Sequence, residues 1–219
     1  MWPRTRTYGE RYRVTDLVPS KKIKVIFIAE SPHKDEVSSE NPEERSPFRG
    51  IAGREWWGAL SKFTRVKPPT REIPPRDQLL VICNELGIAV MNAVQFPLDP
   101  KITLHEGAEC SPHQFLGFQK SSGPLGYKAV IKTGGQHNPV ESAISDLRGR
   151  LIDLKRELKK SNQVLIVVCL GNDSRWFVER ATAADFEGLE IQTIPHPSSW
   201  WRKAEYRSRA LKLLEELLG

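Results

Sequence analysis

Apolar residues along the chain fall into two rhythms, short runs rich in β-branched residues and longer stretches of helical spacing. The run Ile23-Lys24-Val25-Ile26-Phe27-Ile28-Ala29, bounded by Lys21-Lys22 and Ser31-Pro32, reads as a buried parallel strand. It delivers one carboxylate, Glu30, to its C-terminal lip, where ligands bind in open α/β sheets. Ile88 to Val94 reads as a second strand with Asn92 near its end, and Val164 to Leu170 as a third. The fourth, Leu189 to Ile194, runs into Pro195-His196-Pro197-Ser198. Two buried strands thus each present an ionisable residue with proline close behind.

Between these runs lie helices. Gly50 to Phe63 carries Trp56, Trp57 and Leu60, which read as core. Prolines at 68, 69, 74 and 75 break the chain before Arg76 to Leu86, which Gly87 stops. Pro139 to Lys160 places Ile144, Leu147, Leu151, Leu154 and Leu158 on one face. Gly171-Asn172-Asp173 turns into a helix from Ser174 to Thr182, and the chain closes with a helix from about Arg202 to Leu217. Residues 1–20 read as an arm or edge element, and residues 95–138 as an irregular insertion with one strand-like run, Tyr127 to Lys132. Strands alternating with helices predict one domain over residues 1–219. The expected fold is a three-layer α/β/α sandwich around a central four-stranded, mainly parallel sheet.

Composition narrows the class of protein. No apolar run approaches ~18 residues, so a membrane partner is not expected. The charged N-terminus has no apolar stretch behind it and does not read as a secretory signal. Cys83, Cys110 and Cys169 are far apart; Cys83 and Cys169, in apolar contexts, read as buried thiols of a cytoplasmic protein rather than a disulfide framework. No C-x-x-C or His/Cys cluster appears, and His105, His113 and His137 lack ligand spacing, so no metal and no cofactor is expected. With 33 basic against 27 acidic residues the net charge is +6, a mild bias toward polyanions.

Candidate chemistry lies in short motifs spread from residue 29 to residue 202: Ala29-Glu30-Ser31-Pro32-His33, Ser46-Pro47-Phe48-Arg49-Gly50-Ile51-Ala52-Gly53, Met91-Asn92-Ala93-Val94, Val167-Val168-Cys169-Leu170-Gly171 and His196-Pro197-Ser198-Ser199-Trp200-Trp201-Arg202. In this order they resemble the uracil-DNA glycosylase superfamily, most closely its family four. That family reads Gly-Glu-x-Pro-Gly, Gly-Arg-Pro-Phe-x-Gly-x-Ala-Gly, Thr-Asn-x-Val, a late strand ending in Leu-Gly, and His-Pro-Ser-x-x-x-Arg. The resemblance implies a monofunctional hydrolase that cleaves the N-glycosidic bond of a flipped-out base. Phe48 would stack on the base, Asn92 would read its polar edge, and Ser31 and His33 would line the pocket. His196 would donate to the base carbonyl as charge grows there, and Glu30 would orient water or offset the sugar's positive charge. Pro197, Ser198, Ser199, Trp200, Trp201 and Arg202 would press into the minor groove of DNA.

The chain departs from the family at definite places. Ala29 replaces the first glycine, and His33 the glycine after Pro32, where family one has a tyrosine. Ser31 stands where family one has its catalytic aspartate, and the four iron–sulfur cysteines have no counterpart. Uracil and a bulkier modified pyrimidine both stay open as substrates. Excision of glucosylated hydroxymethylcytosine would make the protein an antiphage factor, and a non-catalytic base-flipping reader is a further alternative. A hydrolase using Ser31 or Ser198 lacks the nucleophile-elbow glycines. Trp200 and Trp201 fit wedging and core packing equally. Arg202, Lys203, Arg207 and Arg209 fit either a solvated helix face or a phosphate rail. The expected partner is DNA, bound by a monomer.

Overall fold

A computed structural model describes residues 13–20, 23–39, 41–66, 73–97, 118–120, 127–129, 139–158, 164–183, 186 and 188–219. The main sheet contains β1 (Val25–Ala29), β2 (Ile88–Asn92), β5 (Leu165–Leu170) and β6 (Leu189–Ile194) in the order β2-β1-β5-β6. All of its pairings are parallel, so "mainly parallel" becomes wholly parallel. A separate antiparallel pair, β3 (Phe118–Lys120) with β4 (Tyr127–Ala129), lies within the irregular stretch; of its two strands only Tyr127 onward was legible. The helices are α1 (Ile51–Leu60), α2 (Arg76–Leu86), α3 (Pro139–Leu158), α4 (Asn172–Thr182) and α5 (Ala204–Leu218). His105, His113, His137 and Cys110 lie outside the described residues.

Strict alternation along each strand sorts the core into two clusters. Ile26, Ile28, Ala89, Met91, Val167 and Cys169 join Leu147 and Leu151 of α3 and Phe177 and Val178 of α4. Val25, Phe27, Ala29, Val90, Val168 and Leu170 join Trp56 and Leu60 of α1, Leu79 and Ile82 of α2, and Leu214 of α5. β1, β2 and β5, buried on both faces, have the continuous apolar runs that this requires, whereas β6, at the sheet edge, is only half-buried and carries Glu190 and Gln192, not the buried strand its sequence suggested. The molecule is therefore an α/β sandwich. Trp56 and Trp57 are core residues, as their helical context implied. Cys83 and Cys169 are buried free thiols, and burial pushes both up to about 12.

Residues near Leu17 run antiparallel to β2 in an isolated bridge with Val90, and Val14 N–H bonds to Gln95 O at 2.8 Å. This segment lies against the outer edge of β2, the edge alternative read for this part of the chain; residues 1–12 of that reading lie outside the described residues. The chain leaves β1 for β2 on one side and later returns to β5 on the other. That reversal sets a topological switch point at the C-terminal ends of β1 and β5.

Candidate active site

Because the four strands run the same way, the residues that follow them gather at one edge. Glu30 follows β1, Asn92 closes β2, Gly171 follows β5, and His196 stands two residues beyond β6. With strands spaced about 4.8 Å apart, β1 and β6 are separated by roughly 10 Å across β5. Glu30 is half-buried, and its backbone oxygen accepts from Val94 N–H at 2.9 Å, joining the loops after β1 and β2. Ser31 is half-buried and Pro32 buried. The His33 imidazole faces outward, with Nδ1 3.3 Å from the Asp35 carboxylate. Its side chain is thus on the surface, while its backbone turns inward.

That inward turn leads to Glu36, a residue hidden in what reads as a polar loop. Glu36 is buried, and its carboxyl receives the Asn92 side-chain nitrogen, Nδ2 to Oε2 at 3.0 Å. The backbone N–H groups of His33 and Phe48 also donate to it. Burial pushes the acid up to about 8 despite these three donors, with the nearby Asp35 adding a smaller push. Asn92 itself is fully buried in register with Ala29, and its Oδ1 has no partner among the described residues. From α3, Arg150 reaches the same turn: Nη1 donates to Asn92 O at 3.0 Å and Nη2 to Ala93 O at 2.8 Å. Arg150 also pairs with Asp16 at 3.0 Å and Asp146 at 2.8 Å. Sequence reasoning found neither Glu36 nor Arg150. Nothing in the acidic loop marks Glu36 apart from Asp35 or Glu44, and Arg150 looks like part of the polar face of its helix.

Phe48 is buried in the left-handed region, with φ 62°, where a non-glycine side chain is strained. Three contacts hold it there. Its N–H goes to Glu36, its carbonyl accepts from Trp57 Nε1 at 3.0 Å, and its ring stacks on Trp56 at 5.5 Å. The carbonyl also presses onto α1 at Gly53, where an added Cβ would stand 1.7 Å from the Phe48 oxygen. Only glycine leaves room for that approach.

The Phe48 ring in turn lies against His196, centroids 6.3 Å apart and planes inclined by 28°. His196 Nδ1 caps the following turn by accepting from Ser198 N–H at 3.3 Å, and it lies 2.8 Å from Ser198 Oγ. A nitrogen that accepts a backbone N–H carries no proton, so in the neutral ring the proton is on Nε2. Desolvation pushes the ring down to about 4, with Asp173 at the start of α4 opposing it. Beneath the residue, Gly171 adopts φ 99°, and a Cβ there would lie 3.4 Å from that of His196. The Leu-Gly end of β5 is therefore the floor on which the imidazole stands.

The loop beyond His196 divides. Pro197 is buried, Ser198 exposed and Ser199 half-buried. Trp200 is 2 % exposed, donates Nε1–H to Pro195 O at 2.9 Å and packs on Trp56, so a groove-inserting role does not fit its placement. Trp201 is 65 % exposed, with the Arg202 guanidinium 4.8 Å above its ring. Lys203, Arg207 and Arg209 are exposed, and Arg207 lies 3.9 Å from Glu55.

At this edge the Phe48 ring lies against His196, Glu36 joins Asn92 to the Phe48 backbone, and Glu30 follows the neighbouring strand. Among the described residues no group of three or more His, Cys, Asp or Glu is placed to hold a metal ion, and no helix is long and apolar enough to cross a membrane. Comparison with protein-family models and with curated proteins finds no match.

Proposed function

We propose that this protein is a DNA glycosylase of the uracil-DNA glycosylase type, hydrolysing the N-glycosidic bond of an extruded uracil or modified pyrimidine to leave an abasic site. The observation that carries this reading is the meeting of Phe48, Asn92 and His196. They come from distant parts of the chain, yet the Phe48 ring lies against His196 and Glu36 ties Asn92 to the Phe48 backbone. Glu30 stands on the same edge, at the switch point of the sheet.

The roles follow from the chemistry of each group. The base stacks on Phe48 while Asn92 meets its polar edge. As the bond from C1′ to the base nitrogen breaks, electrons flow into the base and positive charge builds on the sugar. Neutral His196 donates its Nε2–H toward the base carbonyl, where negative charge grows, and this stabilises the leaving anion without a full proton transfer. Glu30 orients the attacking water or balances the sugar cation; the water oxygen bonds to C1′, its released proton passes to Glu30 or solvent, and the departed base anion takes up a proton from solvent. On the outside, Trp201 and Arg202 meet the DNA backbone and the gap left by the base.

Single- and double-stranded oligonucleotides carrying uracil, a deaminated purine, hydroxymethylcytosine or its glucosylated form, heated in alkali after incubation, test the reading. One base class is expected to yield strand breaks at its position. Glu30→Ala and His196→Ala are each expected to slow cleavage by about 100-fold or more, the scale of losing one transition-state partner. Absence of abasic product on every substrate would overturn the proposal.

A further inference from the structure

Glu36 contacts three of the residues assigned to the base pocket and belongs to none of the motifs that suggested it. The Asn92 amide and the backbone N–H groups of His33 and Phe48 all aim donors at its carboxyl. An asparagine side chain has a donor end and an acceptor end, and its neighbour decides which end faces where. Here the nitrogen is turned to Glu36, and the fully buried Oδ1 is left with no partner among the described residues. A protonated Glu36 accepts the same bond through its carbonyl oxygen, so the arrangement does not require the ionised form. A buried acceptor without a donor is destabilising until something supplies an N–H or O–H.

Resting on the glycosylase reading, we propose that Glu36 is the positioning residue of the base pocket: it holds the Asn92 nitrogen inward and leaves Oδ1 to the ligand, so that the site takes pyrimidines presenting an N–H donor at that edge. The imide N3–H of uracil and the exocyclic amino group of cytosine, with or without a 5-substituent, both qualify. An N3-alkylated uracil or an N4,N4-dialkylated cytosine does not.

Duplexes bearing one cleavage-resistant 2′-fluoro nucleotide opposite an abasic analogue test this, because pairing with the other strand then plays no part. The base is uracil, N3-methyluracil, cytosine or N4,N4-dimethylcytosine, and Kd is read by fluorescence anisotropy on the full chain. Wild type is expected to bind the N–H-bearing member of a pair about 10- to 100-fold more tightly, the span for leaving a buried acceptor unpaired. Glu36→Gln, which can turn either amide end toward Asn92, is expected to reduce that ratio to about threefold or less. An unchanged ratio in Glu36→Gln overturns the proposal. Side-chain amide NMR of the free protein adds a readout independent of DNA. The Asn92 NH2 protons are expected to exchange slowly in wild type and fast in Glu36→Gln; fast exchange in wild type also overturns it. A slow Asn92 amide combined with no base-dependent binding strikes the glycosylase reading and the base selectivity, and leaves the Glu36–Asn92 lock standing.

Discussion

A carboxyl group removed from water prefers to keep its proton, and Glu36 shows what that preference does to a fold. Its ordinary value of 4.5 rises to about 8, so between those values the folded chain holds a proton that the unfolded chain has released. Stability attributable to this residue is therefore present below about pH 4.5, declines as pH rises through the window, and levels off above about 8. Urea midpoints at pH 5, 7 and 9 are expected to show wild type losing ground to Glu36→Gln as pH rises, because the amide has no proton to lose. A parallel pair of curves would contradict the burial argument. His196 is displaced the other way and stays neutral down to about 4, which suits a donor that must not carry a full charge at neutral pH. The sequence offered His196 and Glu30 through their positions after strands. It offered no trace of Glu36, because solvation in a loop depends on which turn the loop takes, and composition does not encode that turn.

The elements were largely legible because their burial is periodic. The apolar stripe of α3 and the β-branched runs of the strands need no knowledge of tertiary structure to be seen. Contacts between elements were not legible, and α1 illustrates why. Its glycines look alike in sequence, yet Gly53 lies under the Phe48 carbonyl and Gly58 has nothing within 4 Å of an added Cβ. Helix propensity alone favours alanine at both by up to about 1 kcal/mol. Gly58→Ala is expected to gain about that much, whereas Gly53→Ala must displace backbone and is expected to lose about 1–3 kcal/mol, as overpacked sites do. Thermal unfolding of the two variants should show shifts of opposite sign. Arg150 teaches the same lesson. Its ion pairs belong to α3 and the N-terminal segment, but its bonds to Asn92 and Ala93 make a helix on one face of the sheet responsible for the geometry of a turn at its edge.

At the scale of the molecule, the parallel sheet does the assembling: four strand ends on one edge bring together motifs dispersed over the chain. Net charge of +6 gives only a general pull toward polyanions, so on the glycosylase reading contact with phosphate would come from particular side chains. Arg202 is exposed beside the proposed pocket, and Arg202→Ala is expected to weaken DNA binding while reducing the slope of log K against log salt by about 1. An unaltered slope would remove Arg202 from the DNA interface. The aromatic chain behind Phe48 has an optical consequence. Trp56 packs on Phe48 and on Trp200, and Phe48 on His196, so on the glycosylase reading two indoles lie one ring away from the stacked base. With Trp201 replaced by Phe to silence the exposed indole, saturating oligonucleotide is expected to change the remaining intrinsic emission, and adding Trp56→Phe to reduce that change, giving an assay of occupancy that needs no label.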